Sequence, residues 1–570
     1  MSDFVRIWAP DARRVEIVCD DSRSAAAAEP GGWWRGPALA AGDRYAISLD
    51  GGPPRPDPRS RWQPDGVHAA SCWVDPVTLA SPLPPGFSPV ALRDAVIYEL
   101  HIGTFSPTGT FAGAAAHLDH LVQLGVTHVE IMPVAQWAGR HGWGYDGVDL
   151  FAPHDLYGGP SGLHHFIHEC HRRRLAVLID VVHNHLGPEG AYLGEFGPYR
   201  TSRHRTAWGD AINLDGDGAR EVRRFLIDSA LSWLCDYGAD GLRLDALHAL
   251  RDTSDRHFVA ELTDEIRAAG ARLGRRFQVI GEFDDHDPRA VAATAHGGWG
   301  LDAHWNDDFH HALHALLTGE HAGYYGDFAA PGTLAKVLRR GYALDGGMSR
   351  FRGRPHGAPY GDLPRDRLVA YTQSHDQVGN RGHGERLHQL AGAARARIAA
   401  AVLLTSPFVP MLFQGEEWAA STPFLYFAEV DSAELGRAIR DGRRAEHAAA
   451  GWHDEPPDPT ATTTREASAL RWDELGERPH AEMLAWYRAL LLVRRECPEL
   501  RDPDPRPHAT EVHELPGGAG SFDLRRGSLT LRVNLSDAPI APADGTCLVC
   551  SRGALSSGEL APVSCALFRR

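Results

Sequence analysis

The feature that most restricts the fold of this chain is an alternation of short apolar runs with helix-like stretches. It starts near Ala91 and continues for about 400 of the 570 residues. Candidate strands fall at 95–100, 126–134, 175–180, 241–245, 278–282, 301–305, 368–371 and 409–413. The run 175–179 is apolar throughout, as a strand buried on both faces of a parallel sheet must be. Helical segments such as 161–174, 218–238 and 255–274 separate most of them. Eight such units predict a (β/α)8 barrel with loop insertions, and fit a doubly wound open sheet less well.

The flanks read differently. Residues 1–85 carry period-two alternation, as in Val5, Ile7 and Val15, Ile17, with turn-rich breaks. About seven short strands are expected there, forming an immunoglobulin-like β-sandwich. The Pro-rich stretches 53–64 and 82–85 read as linker draped over a surface. Beyond a helix at 486–496, strand signals such as 529–535 predict a small antiparallel β domain. The expected division is 1–85, 86–498 and 499–570.

A formal net charge of −16 argues against nucleic-acid or anionic-membrane partners, which call for a basic surface. Neither a signal peptide nor a membrane-length apolar run is visible, so a cytoplasmic location without membrane contact is expected. Cys547 and Cys550 form a lone CxxC and read as strand residues. The helically spaced groups His164, His168, His171 and His310, His311, His314 read as solvated helix faces.

Chemistry in a barrel belongs at the C-terminal ends of the strands. Polar residues collect there: Asp180 and His183-Asn184-His185, then Arg243 and Asp245, then Glu282, then His375-Asp376-Gln377. A carboxylate inside a barrel needs a partner, and Arg243 two residues before Asp245 supplies one. Asp245 is then held ionised, as a nucleophile must be, whereas Glu282 follows an apolar strand that would raise its pKa toward a working acid. Two such carboxyls flanking a scissile bond suit retaining glycoside hydrolysis. Asp376 with His375, and His185 opposite, would hold sugar hydroxyls, while Trp143, Tyr145 and Trp305 offer faces for stacking.

These blocks, in this order, resemble the four signature blocks of the α-amylase superfamily. Longer stretches resemble the malto-oligosyltrehalose trehalohydrolase family: 144–148 with 151–153, 184–190, 208–213, 305–311, 375–380, 415–418, and 8–10 with 57–64 near the N-terminus. The resemblance implies Asp245 as nucleophile, Glu282 as acid/base and Asp376 as transition-state stabiliser. Its motifs add Asp146, His248, Asn306, Asp307, Asp308, His310 and Gln377 to Tyr145, His185, Arg243, Trp305 and His375 as candidate substrate-binding positions. It implies release of trehalose from maltooligosyltrehalose by cleavage of an α-1,4 bond, beside a synthase that makes this substrate. It implies no cofactor and no metal, Asn184 serving in hydrogen bonding, and a monomer or homodimer. The chain departs from the family pattern at His183, at 281–285 and at 424–430, where a Tyr, a Ser-containing segment and an Asp-His pair are usual. A glycogen branching or debranching enzyme, and an inactive glycan-binding barrel, are the competing readings.

Overall fold

The computed structural model describes residues 4–20, 22–79, 83–449, 455–516, 520–551, 553–555 and 558–570. Its centre is a closed barrel of eight parallel strands. In chain order these are β1 (Ile97–Leu100), β2 (His128–Ile131), β3 (Ala176–Val181), β4 (Gly241–Leu244), β5 (Gln278–Gly281), β6 (Ala303–Trp305), β7 (Leu368–Tyr371) and β8 (Val409–Phe413), with β8 closing onto β1. Every strand expected from the sequence is present, and closure excludes the open sheet.

Side chains alternate across each strand, so every second residue enters the barrel. At the bottom, Ile97, Leu178, Ile280, Ala303, Val369 and Val409 make an apolar plug. Two residues further along each strand the same face carries Glu99, Asp180, Arg243, Glu282, Trp305 and Tyr371. The outward residues, such as Leu242, Leu244 and Val279, join the continuous core beneath the surrounding helices. This period is what brings sequence-distant polar residues to one mouth.

Among the described residues, seven strands precede the barrel, split between a three-stranded and a four-stranded antiparallel sheet packed through Val5, Ile7, Val15, Ile17, Tyr45 and Ile47. After it, the strands Glu511–Glu514, Phe522–Arg526, Leu529–Asn534, Thr546–Cys550 and Ser564–Arg569 form one antiparallel sheet, with Cys547 and Cys550 in a strand as expected.

Two sequence expectations are corrected. The 53–64 stretch is a packed joint, not a draped linker: Asp57, Ser60 and Gln63 are buried. Tyr45 donates to Asp57 at 2.8 Å, Arg59 and Arg61 pair with Asp228 and Asp236, and Trp62 Nε1 donates to Asp155 at 2.7 Å. Its prolines fix an extended path while the side chains between them tie the first sheets to the barrel helices. Of the second stretch, Pro82 lies outside the described residues. The histidine-rich helix faces are also less solvated than expected, because His171, His310 and His314 are buried. His171 Nε2 lies 2.7 Å from buried Asp240, so this polar group points inward to a partner.

Gly241 opens β4 where the neighbouring strands approach closely. A Cβ there would stand 2.3 Å from the Gln278 carbonyl oxygen and 2.6 Å from Leu178 Cδ2. Because one of these neighbours is backbone, Gly241→Ala is expected to cost about 1–3 kcal/mol of stability, read as a lower denaturation midpoint. An unchanged midpoint would show that β4 and β5 separate at no cost.

Candidate active site

The site is built around Arg243, which has no solvent-exposed surface. Its Nη1 donates to Asp180 Oδ1 and Oδ2 at 3.0 and 2.9 Å and to Asp245 Oδ1 at 2.6 Å. Nη2 lies 3.0 Å from Glu282 Oε2, close enough for ion pairing but not aligned as a hydrogen bond. The guanidinium also lies over the Trp305 ring, 4.3 Å from its centroid. One cation thus touches carboxyls from the ends of β3, β4 and β5.

Asn184 fixes the other side of Asp245, donating through Nδ2 to Oδ2 at 2.8 Å. Burial pushes the Asp245 carboxyl up, but Arg243 and Asn184 outweigh it, and the net shift is downward. Glu282 goes the other way. Burial raises it well above the ordinary value, Arg243 offsets part of this, and the Asp245 and Asp376 charges add to the rise. Glu282 Oε2 also accepts the Ala246 N–H at 2.8 Å. Ala246 reaches that position with φ 41° and ψ 53°, a left-handed backbone that costs a residue with a Cβ about 1–2 kcal/mol. Strain of this kind persists only where the surroundings enforce it.

The end of β7 supplies His375 and Asp376. Glu99, on β1, accepts from the His375 backbone N–H at 3.0 Å and faces Nδ1 at 2.5 Å. Nε2 lies 2.8 Å from the Tyr145 hydroxyl, which donates onward to Asp180 at 2.8 Å. Burial opposes charge on this imidazole, but Asp376 and Glu99 outweigh it and raise His375 to about 9. With both ring nitrogens protonated, His375 links Glu99 to the Tyr145–Asp180–Arg243 chain. Asp245, Glu282 and Asp376 side chains are 9%, 19% and 36% exposed, so all three are reachable from solvent, Asp376 the most.

Other sequence candidates divide. Tyr145 is half-buried and stacked on His375, and His185 lies parallel to the half-exposed Trp208 ring at 4.5 Å while facing the Tyr145 carbonyl. Asp146 is half-buried, and burial raises its carboxyl. His248 sits half-buried on the single turn Leu247–Ala249 that follows Asp245. Asp307 accepts from the Tyr371 hydroxyl, and burial raises it to about 6.

Four positions are enclosed, each for a physical reason, and a fifth, half-buried Gln377, is tied back to its own helix N-terminus. Trp305 is buried beneath Arg243, so its ring supports the cation and is not a sugar platform. Asn306 is enclosed and donates to the Gly341 carbonyl. Asp308 is enclosed and accepts from the Ala343 and Leu344 N–H groups. His310 is enclosed between the Thr372 carbonyl and the Tyr325 hydroxyl. Gln377 closes a capping box, its side-chain oxygen accepting from the Ser374 N–H and hydroxyl. Trp143 is likewise packed against Phe424, with Nε1 donating to the Leu425 carbonyl.

Glu99 and Glu130 are site residues that sequence reasoning passed over. They face each other across β1 and β2, and burial together with the Glu99 charge raises Glu130 well above the ordinary value. The available signal was a single acid inside each apolar run, Ile97-Tyr98-Glu99-Leu100 and His128-Val129-Glu130-Ile131.

Comparison with known proteins adds independent findings. A family model described as the alpha-amylase catalytic domain matches residues 83–208. A malto-oligosyltrehalose trehalohydrolase of Arthrobacter ramosus is 45% identical, covering 97% of this chain and 96% of its own length. One from Mycobacterium tuberculosis is 44% identical over 100% and 99%. A crystal structure from Salmonella typhimurium superposes with a TM-score of 0.91 at 36% identity, covering 99% of this chain and 97% of that one.

The His375 pKa has a consequence for stability. A group raised from 6.5 to about 9 on folding contributes fully below about 6.5, and its contribution is lost as pH rises through 9. Denaturant titrations should show the protein losing about 3 kcal/mol between pH 6.5 and 9.5 relative to His375→Asn. Parallel pH dependences for the two proteins would mean that His375 is not held protonated.

Proposed function

The chain belongs to the malto-oligosyltrehalose trehalohydrolase family, and from that premise we propose that Asp245 is its nucleophile, Glu282 its acid/base and Asp376 its transition-state stabiliser. The protein is a glycosidase that hydrolyses the α-1,4-glucosidic bond next to the terminal trehalose of maltooligosyltrehalose, releasing trehalose. The observation that carries the assignment is the single Arg243 guanidinium touching both Asp245 and Glu282 while their pKa values move in opposite directions.

The steps follow from those states. Arg243 and Asn184 each grip one Asp245 oxygen, so the carboxylate is charged and rotationally fixed when it attacks the anomeric carbon. Glu282 Oε2 is engaged by the Ala246 N–H, so the acid proton falls on Oε1 and passes to the departing trehalose oxygen. Trehalose leaves and an ester joins the remaining glucan to Asp245. Glu282, now ionised, takes a proton from water, and the resulting attack releases the shortened chain with its anomeric configuration retained. Asp376, with the protonated His375 beside it, faces the ring as positive charge develops on it. A partner enzyme must first create the terminal trehalose linkage on an α-1,4-glucan, so we assign this protein the step after such a synthase, in the cytoplasm.

Digestion of maltotriosyltrehalose should give trehalose and maltotriose, with the newly formed maltotriose end first seen by NMR as the α-anomer. An α-1,6-branched dextrin should be left intact. Processing of the branched substrate alone would replace this reading with a branching or debranching one. Asp245→Asn and Glu282→Gln should each lower kcat/KM by about 10³-fold or more with the fold retained. Near-normal trehalose release by either variant would overturn the roles. Activity requires Asp245 ionised and Glu282 protonated. The acid limb of kcat/KM should therefore fall below the usual carboxylate range, and the alkaline limb, abolished in Glu282→Gln, above it.

A further inference from the structure

Just beyond Glu282 the chain turns through Asp284 and His286, and the loop carrying His356 folds over them. We propose that Asp284, His286 and His356 form a divalent-cation site of the Zn²⁺ class at the rim of the barrel mouth. Among the described residues these three offer ligand atoms that all lie within 4.8 Å of one another. The inference is independent of the catalytic roles assigned above.

The geometry is specific. His286 Nδ1 and His356 Nε2 face each other at 3.1 Å. Two nitrogens bound to one tetrahedral Zn²⁺ at about 2.0–2.1 Å each would stand about 3.3 Å apart, so little movement is needed. Both rings are buried. His286 is also backed by a carboxylate: its Nε2 lies 2.9 Å from Asp308, which is itself fixed by the Ala343 and Leu344 N–H groups. That contact turns Nε2 toward the carboxylate and Nδ1 toward His356, as in metal sites where a carboxylate orients the ligating imidazole, and an ion would displace any proton on Nδ1. His286 holds this pose with φ 49°, in the left-handed region. The third group, Asp284, gives one oxygen to Arg352 at 2.5 Å, so its other oxygen is the one placed to ligate. His356 Nε2 also lies 2.8 Å from the Asp284 carbonyl, so an ion would replace the polar contacts that now meet at this nitrogen.

Two imidazoles and one carboxylate make a borderline donor set, which suits Zn²⁺ and not Ca²⁺ or Mg²⁺. Three protein ligands leave a fourth position for water. A bound ion would join the segment after Glu282 to the segment after the strand pair at 348–355.

The test uses the full-length protein freed of metal by chelation and titrated with ZnCl2 at pH 8 by calorimetry, with thermal melting in parallel. One tight equivalent is expected, with a raised melting midpoint. His286→Asn and His356→Gln should each weaken that equivalent at least tenfold, about 1.4 kcal/mol, and abolish the Zn²⁺-dependent rise in melting. His164→Asn, on a distant helix, should leave both intact. Melting curves without metal establish that each variant is folded. Absence of a tight equivalent in the unmodified protein, or its survival in both folded variants, would overturn the proposal.

Discussion

One buried guanidinium sets the terms for the whole barrel mouth. Arg243 has no contact with solvent and is held by Asp180, Asp245 and Glu282 from three adjoining strands, with Trp305 beneath. Removing a charge from water costs several kcal/mol even after relaxation, and losing one partner of a buried pair typically costs about 3–5 kcal/mol. These carboxyls are therefore structural as well as chemical, because without them the cation would be stranded in the barrel. The apolar plug and the aromatic face beneath Arg243 close the layer from below. Coulombic effects there are correspondingly strong.

The layer holds more acids than cations, and that imbalance decides which groups carry charge. Glu99, Glu130, Asp180, Asp245 and Glu282 surround Arg243 and His375. Asp245, gripped by Arg243 and Asn184, moves down, whereas Glu282 and Glu130 are pushed up. Asp180, despite its bond to Arg243, is raised by burial to about 7. His375 becomes the second cation because Glu99 and Asp376 outweigh its burial. Protonation is thus a property of the layer, and neutralising any one acid would redistribute charge among the rest.

Much of this was legible in the sequence, and the remainder was not for identifiable reasons. The eight strands were readable because each pairs a short apolar run with a helix signal, and Arg243 with Asp245 because a charged pair inside such a run demands explanation. Motif membership did not separate residues that face the opening from those that support it. Asn306, Asp307 and Asp308 are consecutive, yet only Asp307 lies among the charges acting on Glu282, while the other two fasten loops. That division depends on where the helix Asp307–Thr318 begins relative to β6, to within one residue. The 53–64 segment misled for another reason: proline content reports an extended path, not exposure, and side chains such as Gln63 bury themselves against elements far away in sequence.

Donor contacts explain why two chemically similar groups, Asp245 and Glu282, can be assigned different work. Asp245, the least exposed at 9%, has both oxygens engaged by donors, which favours a fixed charge. Glu282, at 19%, has one oxygen engaged and shares its cation with two other acids, so the neutral form wins. Asp376, at 36%, is the most exposed of the three and accepts one bond, from Asn380 at 3.2 Å. A single ring bound across this opening would meet a charged nucleophile, a proton donor and a half-exposed third carboxyl. The donors that each carboxyl receives, more than residue type, are what separate the charged Asp245 from the neutral Glu282.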